Sequence, residues 1–334
     1  MAQSSVVYID SERDAWSNPT ALRGNGAASA ISLVEAYSGS LPLPAEINPR
    51  FRNALAHVLD NPGSLVRPRM VHQVGLAFGL AEDAARNLAV ALEYFHTASL
   101  IFDDLPCMDD AADRRGVPCV HREFGEHEAI LAALALINRA YSLAWQAIAD
   151  SSKPARNAGM AYLEKCLGVA GLLNGQSLDL SYASLPHTQE TTERIARGKT
   201  ASLIRLTLVL PAILGAASQR EIQLLERVSV CWGLSYQIVD DLKDVLQSSA
   251  QTGKTAARDA LLDRPNIAAA VGVPAAVRRL TRFIRMGDRA LFLLLKHRPS
   301  LLFLVQLRGD LQSELNRVIA DVAENTQQVL DPIA

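Results

Sequence analysis

From Ala28 onward, apolar residues recur at helical spacing almost without interruption. Leu88, Leu92, Phe95, Ser99 and Phe102 follow the i, i+4, i+7 pattern of one helix face. Ile222, Leu225, Val228, Trp232, Ser235, Val239 and Leu242 repeat that pattern over roughly six turns. Alternating patterns of the β type are nearly absent, and "VVYI" near the start is the only β-like fragment. Prolines such as Pro42, Pro62, Pro118, Pro154, Pro186 and Pro265 fall at helix-plus-loop intervals, as expected of residues that close or open helices. Pro211 lies inside an apolar helical stretch and predicts a kink there. Residues 1–27 are polar, carry Pro19, Gly24 and Gly26, and predict a loose arm. Residues 28–334 predict one all-α domain, a bundle of many long helices around a central apolar cavity.

Composition narrows this picture. The chain has 334 residues, 49% hydrophobic and 20% charged, which suits a globular protein that buries a large core. Its net charge of −2 gives no global field toward nucleic acid or an anionic membrane. The longest charge-free run, Leu206 to Gln219, is too short to span a bilayer. No basic region followed by an apolar stretch opens the chain, so no secretory signal is expected. Cys107, Cys119, Cys166 and Cys231 are widely spaced, fit neither a zinc site nor a disulfide framework, and read as reduced thiols of a cytoplasmic protein.

Two acid clusters stand out against the apolar pattern. Asp103, Asp104, Asp109 and Asp110 lie in "SLIFDDLPCMDD", and Asp240, Asp241 and Asp244 lie in "YQIVDDLKDV". Each ends a long apolar helical run, where carboxylates are costly unless a cation meets them. Two such clusters facing one cavity suit Mg²⁺, which takes a few carboxylates together with substrate phosphates. Asp240 and Asp244 are four apart and share a helix face bordered by Gln237. Pro106 breaks the helix after Asp104, so helical geometry leaves open whether Asp109 or Asp110 joins Asp103. The next segment, "DRRG", offers the fork donors Arg114 and Arg115 for phosphate oxygens. Lys199–Thr200 and Lys254–Thr255 each complete a Gly-Lys-Thr string, but the upstream glycine and preceding strand of a nucleotide P-loop are missing. Gln176, Asp179 and His96 are polar groups on otherwise apolar helices.

In order, "RP" at Arg67–Pro68, "FHTASLIFDDLPCMDDAADRRG", "FGE" at Phe124 to Glu126, "GQSLDL", "GKT" at Gly198 to Thr200, "GLSYQIVDDLKDV" and "TGKTAARD" resemble the trans-isoprenyl diphosphate synthases, the polyprenyl synthetase family. The resemblance spans residues 50 to 270 or so. It implies a helical fold enclosing an apolar tunnel, a Mg²⁺ cofactor (Mn²⁺ as a substitute) and a homodimer. Asp103, Asp104, Asp109, Asp240 and Asp244 would be metal ligands. Lys199, Lys254, Arg114, Thr200, Gln176 and Gln237 would surround an allylic prenyl diphosphate. Arg67, His96 and Arg115 would receive isopentenyl diphosphate, which attacks the allylic cation formed when the diphosphate leaves. Ala98, five residues before Asp103, stands where a large aromatic stops chain growth in some relatives; Phe95, a turn deeper, is the next floor. A pocket for a chain of about fifteen to twenty carbons is therefore expected.

The family's basic segment before Arg67 reads "PGSLVRP" here. Ser64 and Leu65 replace two cations, Phe102 replaces the usual histidine, and Arg264 follows in place of a lysine. The resemblance thus implies an intact allylic half and an eroded isopentenyl half. Chain elongation is the first expectation. The same ionising site serving another acceptor, as in a terpene cyclase or a prenyltransferase to a small aromatic or prenyl acceptor, is the second; a low-activity partner subunit is the third.

Overall fold

The computed structural model describes residues 26–250, 264–309 and residue 316. Lys254, Thr255 and most of the predicted arm lie outside the described residues. Thirteen helices are used below: α1 (Gly26–Gly39), α2 (Pro49–Leu59), α3 (Val66–Ala77), α4 (Glu82–Asp103), α5 (Val120–Phe124), α6 (Glu126–Ala149), α7 (Lys153–Leu167), α8 (Leu172–Leu180), α9 (Gln189–Gly198), α10 (Thr200–Leu214), α11 (Gln219–Ala250), α12 (Ile267–Val271) and α13 (Val273–His297). Among the described residues the only strands are β1 (Asp113–Arg114) and β2 (Val117–Pro118), paired antiparallel.

The prolines mark helix starts for a physical reason. Their missing N–H falls where a helix has no internal acceptor anyway. Asn48 caps α2 ahead of Pro49, and Ser152 caps α7 ahead of Pro154. Pro211 lies inside a helix as expected, and α10 continues through it to Leu214. The residues around it, Leu206 to Leu214, are all buried, so tertiary packing holds the turn that proline weakens.

Helix α4 is the axis of the molecule. It runs 22 residues, about 33 Å at helical rise. Leu88, Leu92 and Phe95 are buried on one side, and Val90, Tyr94, Ala98 and Ile101 on others. A helix apolar all round belongs in a core. Its broadest neighbour is α6, whose Ala129, Ala132, Ala133, Ala140 and Ala144 allow close approach. The long α11 packs against α10 and α13. Of its predicted stripe, Leu225, Val228, Trp232, Ser235, Val239 and Leu242 are buried and Ile222 is half-buried. Burying Trp232 alone removes on the order of 200 Å² from water, worth about 5 kcal/mol. The first acid cluster thus ends α4 and the second lies along α11, and core packing fixes the positions of both helices.

Candidate active site

The chain folds back after α4, and that settles which acid joins Asp103. The Asp109 N–H donates to the Asp103 carbonyl at 2.9 Å, the Met108 and Asp110 N–H groups donate to Leu105, and Ala111 donates to Asp104. Asp109 therefore returns to the end of α4. Asp110, with φ at 47°, is exposed and meets Arg122 at 2.7 Å. The Asp103 carboxylate accepts from the Gln176 amide at 2.6 Å and lies 3.9 Å from the Lys199 ammonium. Asp109 accepts from Arg264 at 2.5 Å. Arg264 also reaches the Met108 carbonyl at 3.0 Å and stands 3.9 Å from Asp179.

Asp104, expected among the metal ligands, has a partner of its own. It is buried, and its carboxylate takes the fork of Arg114 at 2.6 and 3.1 Å. The same pairing commits Arg114, expected on the allylic diphosphate, to a carboxylate. Adjacent carboxylates at a helix end point in different directions, so Asp103 and Asp104 meet different partners.

Lys199 is held by α8 and α9 through two glycines. A Cβ at Gly175 would lie 2.3 Å from the Lys199 backbone nitrogen and 2.5 Å from the Gly198 carbonyl carbon. Only glycine at both positions lets the backbones approach that closely. The contact places Lys199 beside Asp179, whose carboxylate accepts from its ammonium at 2.9 Å. Burial alone would lower the pKa of Lys199, but Asp103 and Asp179 outweigh it and hold the pKa above the ordinary lysine value. Burial pushes the Asp103 carboxyl up to about 6; Lys199 opposes this, while Asp109 and Asp179 add repulsion.

The next residue, Thr200, connects to the second cluster. Its hydroxyl donates to the Gln237 amide oxygen at 2.7 Å, and the Gln237 amide nitrogen donates to Asp241 at 2.8 Å. Asp241 is buried and also accepts from the Ile267 N–H at 2.6 Å, so it anchors the start of α12. Asp240 and Asp244 flank it half-buried on α11. Lys199 and Thr200 therefore face one acid cluster each, from adjacent positions at the α9–α10 junction.

The oxygen-rich donor set suits a hard divalent cation. Among the described residues no three acids, imidazoles or thiols already converge closely enough to hold one alone. Mg²⁺ is usually bound through one or two carboxylates plus water and substrate phosphate, and the repulsion on Asp103 is what such a cation would relieve.

The basic residues expected at the second substrate converge on one edge. Arg67 and His96 meet at 2.8 Å between Nη1 and Nε2. Arg115 donates to the Asn61 carbonyl at 3.0 Å and lies 3.6 Å from the buried Glu93. A Cβ on Gly63 would strike the Arg115 guanidinium at 2.7 Å, so the "PGSL" turn is packed on that arginine. Ser64 is half-buried in the turn. Leu65, by contrast, is 3% exposed with φ at 51°, a core residue in a left-handed backbone. Ala98 is fully buried, and the Phe95 ring meets Tyr141 edge to face at 4.8 Å between centroids.

The polyprenyl synthetase family profile matches residues 48–282, more than half of the chain. The chain belongs to this family. Geranylgeranyl pyrophosphate synthase 7 of Arabidopsis thaliana is 38% identical over 245 residues, covering 72% of this chain and 68% of its own. Other Arabidopsis relatives are spanned over slightly less than two thirds of their length, 65% and 63%. The geranylgeranyl diphosphate synthase of Pantoea ananas is 35% identical over 239 residues, covering 71% of this chain and 77% of its own. Among solved structures, an FPP/GFPP synthase from Zymomonas mobilis superposes with a TM-score of 0.71 at 26% identity, over 86% of this chain and 96% of that one. A geranyltranstransferase from Thermotoga maritima gives 0.66 at 26% identity, over 89% and 100%.

Two site residues, Asp179 and Arg264, do not stand out from the sequence as site groups. Asp179 was visible only as a polar group on α8, and its role as the Lys199 partner depends on the glycine contact. Arg264 stands in the sequence as a replacement for a lysine, and only the fold brings it to Asp109. The "DRRG" hairpin carried a signal in Gly116: Arg115 and Gly116 have φ of 56° and 80°, the pair a two-residue mirror-image turn requires.

Proposed function

We propose that this chain is a trans-prenyltransferase that ionises an allylic prenyl diphosphate with Mg²⁺ and elongates it with isopentenyl diphosphate, to products of fifteen to twenty carbons. The observation that carries this reading is the adjacency of Lys199, on Asp103 and Asp179, to Thr200, on the Gln237–Asp241 chain. Asp103, Asp109, Asp240 and Asp244 hold the metal. Bound there, Mg²⁺ supplies positive charge where negative charge develops on the departing diphosphate. Lys199, Gln176, Thr200 and Gln237, with Lys254, orient the diphosphate. Arg67, His96 and Arg115 hold isopentenyl diphosphate. The apolar walls around Ala98 and Phe95 shield the allylic cation from water, and the released pyrophosphate takes the proton.

Leu65 supports a second reading, in which the same ionising site serves a different acceptor. The residue in the family's basic position is turned into the core, so fewer cations face the acceptor diphosphate. Pyrophosphate release separates the two readings. Release from allylic diphosphate and Mg²⁺ that depends on isopentenyl diphosphate supports elongation; release that is indifferent to it supports the other acceptor. No release under either condition leaves the third reading, a partner subunit.

The protein assembles as a homodimer in this proposal, in the cytoplasm. Ile130, Leu134, Tyr141 and Trp145 share one exposed face of α6, a row of large apolar side chains that a second copy would cover. No described helix is long and apolar enough to cross a membrane.

A further inference from the structure

Helix α13 carries a continuous cationic edge on its outer side. Arg278, Arg282, Arg285, Arg289, Phe292 and Lys296 recur at intervals of three and four, so they form a stripe within roughly 80° of one another around the helix. Along the axis the stripe spans about 27 Å. The four arginines, Phe292 and Lys296 are all exposed, while the opposite side of α13 buries Ala276, Leu280, Phe283, Ile284 and Gly287 against the core. Packing therefore fixes which side faces out.

The arginines on the stripe differ from others on or near α13. Arg279, on a neighbouring face, forms an ion pair with Glu193. Asp288, the only acid on α13, is paired with Arg308 at 2.6 Å. No described acid forms a salt bridge with Arg278, Arg282, Arg285 or Arg289. Guanidinium groups one turn apart repel each other, so a folded protein that holds four in line is destabilised unless an external anion meets them. The chain's net charge of −2 averages this local stripe away.

Apolar groups on the same edge choose among anions. Phe292 is 59% exposed in line with the arginines, with the Lys296 ammonium 4.5 Å from its ring centre, and Met286 beside the stripe is 41% exposed. A nucleic-acid duplex or an acidic peptide meets the cations through phosphates or carboxylates and would leave those side chains in water. A phospholipid interface takes the aromatic and thioether groups at headgroup depth while its phosphates meet the cations. A straight row of charges also fits a plane better than it fits a compact ligand.

We propose that the outer edge of α13 docks the protein on an anionic lipid surface. This is peripheral binding, because the apolar side of the helix is already occupied by the core. It is independent of what the acid clusters catalyse.

The test is flotation of the full chain with vesicles of phosphatidylcholine containing about 30% phosphatidylserine, against phosphatidylcholine alone. Binding to the anionic vesicles at low salt, lost at about 0.5 M salt, is expected, with none to the neutral vesicles. Arg282→Gln with Arg285→Gln should lower the partition coefficient more than tenfold, at about fivefold per charge, while pyrophosphate release in solution stays at the parent value. Phe292→Ser should weaken binding with the charge intact. Equal binding to neutral vesicles, no binding at all, or parent-like partition of the arginine variant would overturn the proposal. So would tighter binding of an oligonucleotide or of polyglutamate than of anionic vesicles at the same salt.

Discussion

The Asp109 N–H donates to the Asp103 carbonyl at 2.9 Å, and this backbone bond returns the second acid of the motif to the first. It makes a carboxylate pair out of residues six apart, across a proline that ends the helix. Lys199, Gln176 and Arg264 then surround the pair. Replacing Asp103 or Asp240 by alanine should lower turnover by at least about a thousandfold, because each change removes charge that holds the metal. Thermal unfolding of both variants should stay close to the parent, since neither is part of the core. A chelator should reproduce the loss in the parent, with recovery on adding Mg²⁺. Kinetics within tenfold of the parent in either variant would contradict the metal assignment.

Gly175→Ala tests whether the α8–α9 contact positions Lys199. The added methyl would lie 2.3 Å from the Lys199 backbone nitrogen, and backbone cannot yield cheaply. Destabilisation of about 1–3 kcal/mol is expected, together with a drop in turnover larger than any loss of folded protein explains. Denaturant unfolding and steady-state kinetics on the same preparation separate the two effects. Unchanged stability would mean the helices move apart freely.

Ser64 and Leu65 are neighbours with opposite predictions. Ser64→Lys adds a cation to a half-buried turn beside Arg115 and should lower the KM for isopentenyl diphosphate severalfold, if that is the acceptor. Leu65→Lys places an ammonium at a 3% exposed core position and should cost about 3 kcal/mol or more of stability. Kinetic titration of isopentenyl diphosphate and thermal unfolding check the pair. A stable Leu65→Lys variant with improved KM would show that the turn readily inverts.

Ala98 is fully buried one turn from Phe95, whose ring meets Tyr141. Ala98→Tyr should shorten the longest product by about one isoprene unit, since an aromatic ring fills the length of roughly five carbons. Chromatography of the dephosphorylated products reads this directly. An unchanged product profile would place Ala98 against a neighbouring helix, away from the chain.

Helical periodicity carried most of the architecture, because a 3.6-residue apolar period extends over whole helices such as α4 and α11. It also placed both acid clusters at the ends of buried runs. What it missed depends on contacts between segments distant in sequence. Asp109 and Asp110 are indistinguishable until the loop's backbone bonds are known. Asp104, a metal ligand by the resemblance, holds Arg114 through its carboxylate, a contact that no spacing reveals. Asp241 looked like a third acid of its cluster but anchors Ile267. Gly175 and Gly198 each read as ordinary helix-end glycines, and only their mutual approach shows what fixes Lys199.

In the proposed function the paired clusters ionise an allylic diphosphate for attack by isopentenyl diphosphate. Mass spectrometry of a reaction with Mg²⁺, geranyl or farnesyl diphosphate and isopentenyl diphosphate tests it most directly. Products longer by whole five-carbon units are expected, absent with chelator and absent in Asp103→Ala. Full recovery of unreacted allylic diphosphate with Mg²⁺ and isopentenyl diphosphate present, from folded parent protein, would contradict it.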